Sequence, residues 1–306
     1  MSNHLVYQAS PSTKDSRNRR KAHDPRSLLR AVIIGLAGAM MFSISVSAQP
    51  VVTLPAPPIT LPFLPSPSGD WTLTIGAGGK MQPDYVGAKH SMFSPVPIFS
   101  IHRAGSAEKF RGPRDGASIA LFDYGGFRAG PVGKIVSSRK ASRYTELTGL
   151  GDVGIALEIG GFVEYFPVDW FRTRVEVRQG FGGHHGVVAD FSGDFIVPLS
   201  QQWTVSGGPR FTLEDAKATS PYFGVSLAQS LASGLPIYNA KGGAHSAGAG
   251  AQVRYQYNPQ WEIHSYVEYE RLLGNAASSP VVTLRGSPNQ VTVGIGASYS
   301  FDVRVQ

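Results

Sequence analysis

"WFRTRVEVRQGF", residues 170–181, sets a charge on every second position of a segment otherwise built from Val, Thr and Phe. Arg172, Arg174, Glu176 and Arg178 share one face, and Phe171, Thr173, Val175, Val177, Gln179 and Phe181 share the other. A period of two means a strand with two unlike faces. Two settings suit such a strand. A soluble sheet would put its charges in water and Val/Phe in a core; a membrane barrel would put its charges in a wet lumen and Val/Phe against lipid. The rest of the chain must choose.

The alternation recurs to the end of the chain, and after Trp71 no convincing amphipathic helix interrupts it. In 153–165 an Ile/Leu/Val face opposes Glu158 and Glu164; in 187–197 Phe191 and Phe195 oppose Asp190 and Asp194; in 203–213 Trp203, Val205 and Phe211 oppose Arg210. Residues 247–257, 261–270 and 291–303 repeat the pattern. Three features favour lipid. The segments run about eleven to thirteen residues, longer than strands of most globular sheets and close to a tilted bilayer crossing. Aromatics gather near the ends of apolar faces, such as Trp203 and Phe211, Trp261 and Tyr269, where interfacial girdles belong. The middles are thin, with Ala and Val, which pack a soluble core poorly but suffice against acyl chains. An Arg facing lipid at midplane would cost about 2–4 kcal/mol, so the charges point inward.

The fold class expected is therefore all-β, an antiparallel transmembrane barrel. Counting 71–79 and 221–226 as strands gives about twelve; omitting both gives ten. Tight connections at 123–127, 166–170, 198–202 and 258–260 carry Gly, Pro, Asp or Asn, as turns need. Long ones at 103–116, 135–150, 214–243 and 274–290 alternate with them, the pattern of short periplasmic turns and long surface loops.

The start of the chain has its own logic. Residues 1–30 are polar and basic, an apolar run of about sixteen residues follows, and Val46 and Ala48 stand where a small-residue cleavage site would have them. Residues 1–48 therefore read as a cleaved secretory signal. Without them, 21 basic and 19 acidic residues remain of the chain's 28 and 21, so the high pI makes no case for nucleic acid. With no Cys, an exported chain has neither disulfides nor thiolate metal sites. Residues 49–69, containing seven prolines between Pro50 and Pro67, read as an extended periplasmic linker outside the sheet. The barrel then occupies 70–306.

"WTLTIGAGGKMQPDYVGAKHSMFSPVPIFSIH" (71–102), "SPYFGVSLAQSLASGLPIYNAKGG" (220–243), "YERLLGNAASSPVV" (269–282) and "VGIGASYSF" (293–301) resemble the MipA/OmpV family of outer-membrane proteins across essentially the whole exported part. The pieces that carry the resemblance are Pro83, Asp84, Tyr85 and Gly87; Tyr222, Phe223 and Gly224; Ser233 and Gly234; and Ser279 and Pro280. The resemblance implies a non-enzymatic scaffold in the Gram-negative outer membrane, linking a lytic transglycosylase to a penicillin-binding protein in the peptidoglycan machinery. It implies no cofactor and no catalytic motif. Barrels usually end on an aromatic read by the insertion machinery; here Phe301 precedes five more residues, so the assembly signal is either internal, at Gly296, Tyr299 and Phe301, or followed by an extension.

No residue pattern argues for chemistry. Ser100 and His102 lie two apart on a strand, but no third partner for a hydrolase is identifiable. His184 and His185 among glycines read as a solvated loop tip. The basic stretch 134–151 reads as outward-facing, with lipopolysaccharide phosphates as a weak candidate ligand. The charged lumen is the better clue. Arg172, Arg174, Glu176, Arg178 and Arg210 with Glu158, Glu164, Asp190 and Asp194 would either brace and plug a small barrel or line a small-solute channel.

Overall fold

The computed structural model describes residues 52–54, 69–104 and 110–305, all within the compact unit Pro50–Gln306. The signal reading of 1–48, and most of the linker reading, lie outside these residues. The strands are β1 (Val52–Leu54), β2 (Gly69–Pro83), β3 (Ser91–Arg103), β4 (Ala117–Ser118), β5 (Phe122–Tyr124), β6 (Phe127–Val136), β7 (Ala156–Val168), β8 (Phe171–Gly182), β9 (Val187–Pro198), β10 (Trp203–Glu214), β11 (Gly243–Gln256), β12 (Trp261–Leu272) and β13 (Asn289–Val305). Each long strand pairs antiparallel with its sequence neighbour, and β13 returns to pair with β2. The result is one sheet in the order β3-β2-β13-β12-β11-β10-β9-β8-β7-β6-β4.

β4 and β5 form one interrupted strand. Ile119 N–H donates to Pro131 O and Leu121 N–H to Ala129 O, while Phe122 also stands opposite Ala129. Two residues facing one is a β-bulge. Joined in this way, the thirteen segments make twelve strands, the number expected but with different members. Residues 71–79 lie in β2, whereas 221–226 do not form a strand: they end one helix and lead into the next. β1 corrects the linker reading at one point, since Val52–Leu54 pairs parallel with Val303, Arg304 and Val305. Residues 302–305 are not a loose extension; they continue β13, where Arg304 Nε bonds Asp70 at 2.7 Å.

The turns after β5, β7, β9 and β11 share one rim, while one further four-residue turn, 183–186 between β8 and β9, lies on the other. Gly125 and Gly126, with φ of +60° and +81° between paired Tyr124 and Phe127, make a two-residue turn of the kind that requires two positive φ values. The turns after β7, β9 and β11 lie on the same rim, as does the start of β2, because Gly69 pairs with Val305. The opposite rim carries the long connections. By the rule that turns are periplasmic and loops external, the chain termini of the sheet lie on the periplasmic side.

The faces sort as the alternation requires. Along β8, Arg172, Arg174, Glu176 and Arg178 are buried, while Val175, Val177 and Phe181 are exposed, Val177 by 48%. Aromatics ring the turn rim on the outer face: Phe127 stacks on Tyr165 and Trp170 on Phe195, while Trp203 meets Tyr255 and Trp261 meets Tyr299 at a tilt. Phe211 and Tyr269 stand eight residues further along β10 and β12, about 26 Å of strand and so close to the height of an outer-membrane apolar band once tilt is allowed for. No described helix is long and apolar enough to cross a membrane; the strands cross it.

Candidate functional site in the lumen and its outer cap

Inward side chains from β6 to β12 form a continuous lattice of ion pairs. Arg172, fully buried, donates Nε to Glu164 at 3.0 Å, one terminal nitrogen to Asp194 at 3.1 Å and the other to Asp115 at 2.6 Å. Arg174 bonds Glu164 at 2.9 Å and Glu176 at 2.8 Å, with its guanidinium 4.0 Å above the Phe162 ring. Arg178 bonds Glu158 at 2.8 Å, Asp190 at 2.6 Å, and Glu176. Arg210 bonds Asp194 at 2.6 Å, and Arg128 reaches Glu164 at 2.5 Å. A lone buried ion would be very costly; here every arginine on this wall meets at least one carboxylate, so desolvation is offset. All nine lumen charges singled out in the sequence belong to this lattice.

A second contributor to the lattice has no signal in the sequence. The segment leading into β4 turns into the lumen. Arg114 pairs with Glu270 on β12 and approaches Asp190 on β9 to 3.6 Å, spanning strands that are three places apart in the sheet. Asp115 completes the Arg172 cluster, and Gly116 N–H donates to Glu176 at 3.1 Å. Phe110 lies against both Arg172 and Arg254. On the opposite wall, Tyr266 and His264 lean into the room left by Gly294 and Gly296. The lumen is filled by paired charge and by the chain itself.

The outer mouth is closed by a cap. Helices α1 (Ala216–Phe223), α2 (Leu227–Ser233), α3 (Gly274–Ala277) and α4 (Pro280–Thr283) correct the expectation of a chain without helices. Asp215 caps α1, and Ser226 with Gln229 forms a full capping box on α2. Two apolar clusters hold the cap together: Tyr85, Ala88, Leu147, Leu150, Val225, Leu235 and Val281, and beside them Phe223, Ala240, Leu272, Ala276 and Val282. The residues that carried the family resemblance meet here. Ser279 Oγ, fully buried, donates to Phe223 O at 2.6 Å, and Pro280 opens α4. Gly87, at φ +92°, sits against Val282 and Phe223 where a Cβ would collide. Tyr85 packs against Tyr144 with the rings tilted, Gly224 and Gly234 end α1 and α2, and Pro83 and Asp84 lead from β2 into the turn.

Burial raises the phenols of Tyr85 and Tyr222 to about 12. Asp152 is lowered by the Ala141 N–H and by Lys140. His184 is not a solvated loop tip: it is buried and its Nε2 lies 3.0 Å from Glu158. The basic stretch 134–151 is only partly outward. Lys134 points to Asp190 at 3.7 Å, and buried Arg139 donates to the Tyr222 and Pro221 carbonyls. Gly296, Tyr299 and Phe301 all lie within β13. Among the described residues no His/Asp/Glu group is arranged to hold a metal ion.

No curated protein sequence matches the chain. Among solved structures it is similar to the NanC porin, with a TM-score of 0.36 and 11% identity over 75% of this chain and 98% of that one. An outer membrane channel from Pseudomonas putida F1 gives 0.36 and 11% over 78% and 98%, and OmpT of Vibrio cholerae lacking loop L8 gives 0.35 and 8% over 76% and 98%. These likenesses are weak, and the fold assignment rests on the sheet's own pairing. The family profile described as "MltA-interacting protein MipA" matches residues 75–301. That match spans nearly all of the sheet, from β2 to β13, and the chain belongs to the MipA family as a β-barrel of the outer membrane.

Proposed function

We propose that the protein is a non-enzymatic scaffold that ties peptidoglycan enzymes to the outer membrane. The observation that carries this reading is the filled lumen: lattice, inward segment and cap leave the rims, not the interior, as the working surfaces. The family description names an interaction with MltA, and the resemblance read in the sequence implies a lytic transglycosylase and a penicillin-binding protein as the partners. The docking surface would be the periplasmic rim, made of the turns at 125–126, 169–170, 199–202 and 257–260, with the Pro-rich stretch between β1 and β2 beside it once the signal 1–48 is removed.

A photo-reactive amino acid placed at Asp169, Ser200 or Gln260 tests this in intact envelopes. Adducts with murein-cleaving or murein-synthesising enzymes are expected. Their absence at all three turns, with the barrel folded, would refute the scaffold. The second reading, a small-solute channel, is favoured by the charge that lines the lumen, and conductance separates the two.

A further inference from the structure

The last strand runs past the barrel wall. β12 begins at Trp261, opposite Tyr299, and in the turn before it Gln260 O accepts from Ser300 N–H at 2.8 Å. β13 continues to Val305, beyond the aromatic pair of Trp261 and Tyr299 on the turn rim. On one side this tail is pinned to β2 by a ladder of cross-strand polar pairs. Thr74 and Ser300 share a hydrogen bond at 2.8 Å, Thr72 donates to Asp302 at 2.8 Å, and Arg304 Nε donates to Asp70 at 2.7 Å. The ladder holds the tail straight beyond the girdle, where no membrane crossing needs it.

The other side of the tail is an edge. Backbone groups alternate sides along a strand, so Asp302 and Arg304 turn theirs to the side on which Ser300 meets Gln260. β12 does not reach that far. β1 takes its place, with Val52, Thr53 and Leu54 opposite Val303, Arg304 and Val305. A free edge is a template for a further strand, and β1 shows that this one accepts a strand. Yet β1 is a minimal occupant: it has three residues, it runs parallel, the slightly weaker pairing, and it leaves Phe301 and Asp302 without a paired residue on that side among the described residues. Its connection is also slack. Leu54 and Gly69 both stand level with Val305 on opposite sides of it, about 10 Å apart at two strand spacings. Residues 55–68 between them reach roughly 45 Å when extended. β1 can therefore leave the edge while β2 stays in the sheet.

We propose that the free edge of the β13 tail is a docking site for an extended segment of a periplasmic protein, which adds as a strand, and that β1 is its exchangeable resident. The fitting chemistry is written in β1 itself: apolar Val52 and Leu54 flank the hydroxyl of Thr53, and Pro55 ends the strand. The edge adjoins the turn at 257–260, so the site is continuous with the rim assigned to partner docking. It rests on the scaffold reading and gives that reading its mode, main-chain pairing, with β1 guarding the edge until a partner displaces it.

The test uses the exported chain refolded in liposomes, with folding checked by heat-modifiable mobility, and a fluorescent peptide, Pro-Val-Val-Thr-Leu-Pro, that copies residues 50–55. Deleting Val52–Leu54 frees the edge. The peptide is expected to bind this variant about tenfold more tightly than the parent, as for an edge that β1 occupies about nine-tenths of the time. Thr53→Cys/Arg304→Cys locks β1 in place, since the two residues are direct partners in a chain without other cysteines, and the Asp70 ion pair it removes is exposed and contributes little. The oxidised variant is expected to bind no peptide and to recover on reduction. In envelopes the same lock should abolish, and reduction restore, the photo-adducts formed from Gln260. A folded deletion variant that binds no peptide, or a locked protein that binds it as the parent does, overturns the exchangeable edge. Adducts from Gln260 that ignore the lock overturn the partner's use of it. Peptide exchange without adducts at any of the three turns keeps the strand-binding edge and refutes the scaffold reading, so the two failures are told apart.

Discussion

Arg172→Ala should be the most damaging single substitution in the lumen wall. Arg172 is fully buried and serves three carboxylates. Two of them keep other cations when it is removed: Glu164 retains Arg128 at 2.5 Å and Arg174 at 2.9 Å, and Asp194 retains Arg210 at 2.6 Å. Asp115 does not. It is left with the Gly112 N–H at 2.8 Å and Arg174 at 3.9 Å. Breaking a buried pair from one side costs about 3–5 kcal/mol, most of it the penalty of the orphaned charge. The origin of that cost can be tested in a cycle. Asp115→Asn removes the orphan, so Arg172→Ala/Asp115→Asn should recover about 1–3 kcal/mol relative to the sum of the single variants. Urea unfolding of the refolded barrel in liposomes, followed by the fluorescence of its four tryptophans and by heat-modifiable gel mobility, measures each corner. An Arg172→Ala variant within about 0.5 kcal/mol of the parent, or strictly additive losses, would refute the lattice argument.

On the outer face, Val177→Arg should destabilise the barrel in liposomes by about 2–4 kcal/mol; no loss would mean that this face does not meet acyl chains. In the cap, Ser279→Ala strands the Phe223 carbonyl and should cost about 1–3 kcal/mol, read as faster tryptic cleavage within 217–285 while the barrel stays heat-modifiable. Cleavage unchanged would remove Ser279 from the cap's support. The Tyr85 phenol, raised to about 12 by burial, is neutral in the folded state above its ordinary value near 10. A raised folded value gives stability that is whole below pH 10 and is lost as pH rises from 10 to 12. Tyrosinate absorbance and tryptic opening of the cap should therefore appear together in that window, and ordinary titration near pH 10 with the cap intact would contradict the burial.

The architecture was legible because lipid and lumen impose a strict period of two, and Arg172, Glu176, Asp190 and Arg210 fall on one phase of it. The tight turns were legible from Gly125, Gly126 and Pro198. The helices were harder to read. Asp215 and the Ser226–Gln229 capping box are local signals, but α1 and α2 are short and Pro221 interrupts the first, so length-dependent periodicity had nothing to grip. The burial of His184 depends on Glu158, 26 residues away on another strand. The inward segment is the clearest case: Arg114 meets Glu270 across 156 residues, and nothing around "RGPRDG" distinguishes a lumen segment from a surface loop. The motif residues Tyr85, Phe223 and Ser279 were found by resemblance, and their shared place in the cap is visible only once the chain is folded.

Single-channel recording of the folded, inserted protein in a planar bilayer tests the filled lumen most directly. A barrel closed by its own ion pairs, inward segment and cap gives no discrete conductance steps. Reproducible steps in the parent protein, with an ion selectivity that changes in Arg172→Glu, would contradict the account and make the charged wall the lining of a channel.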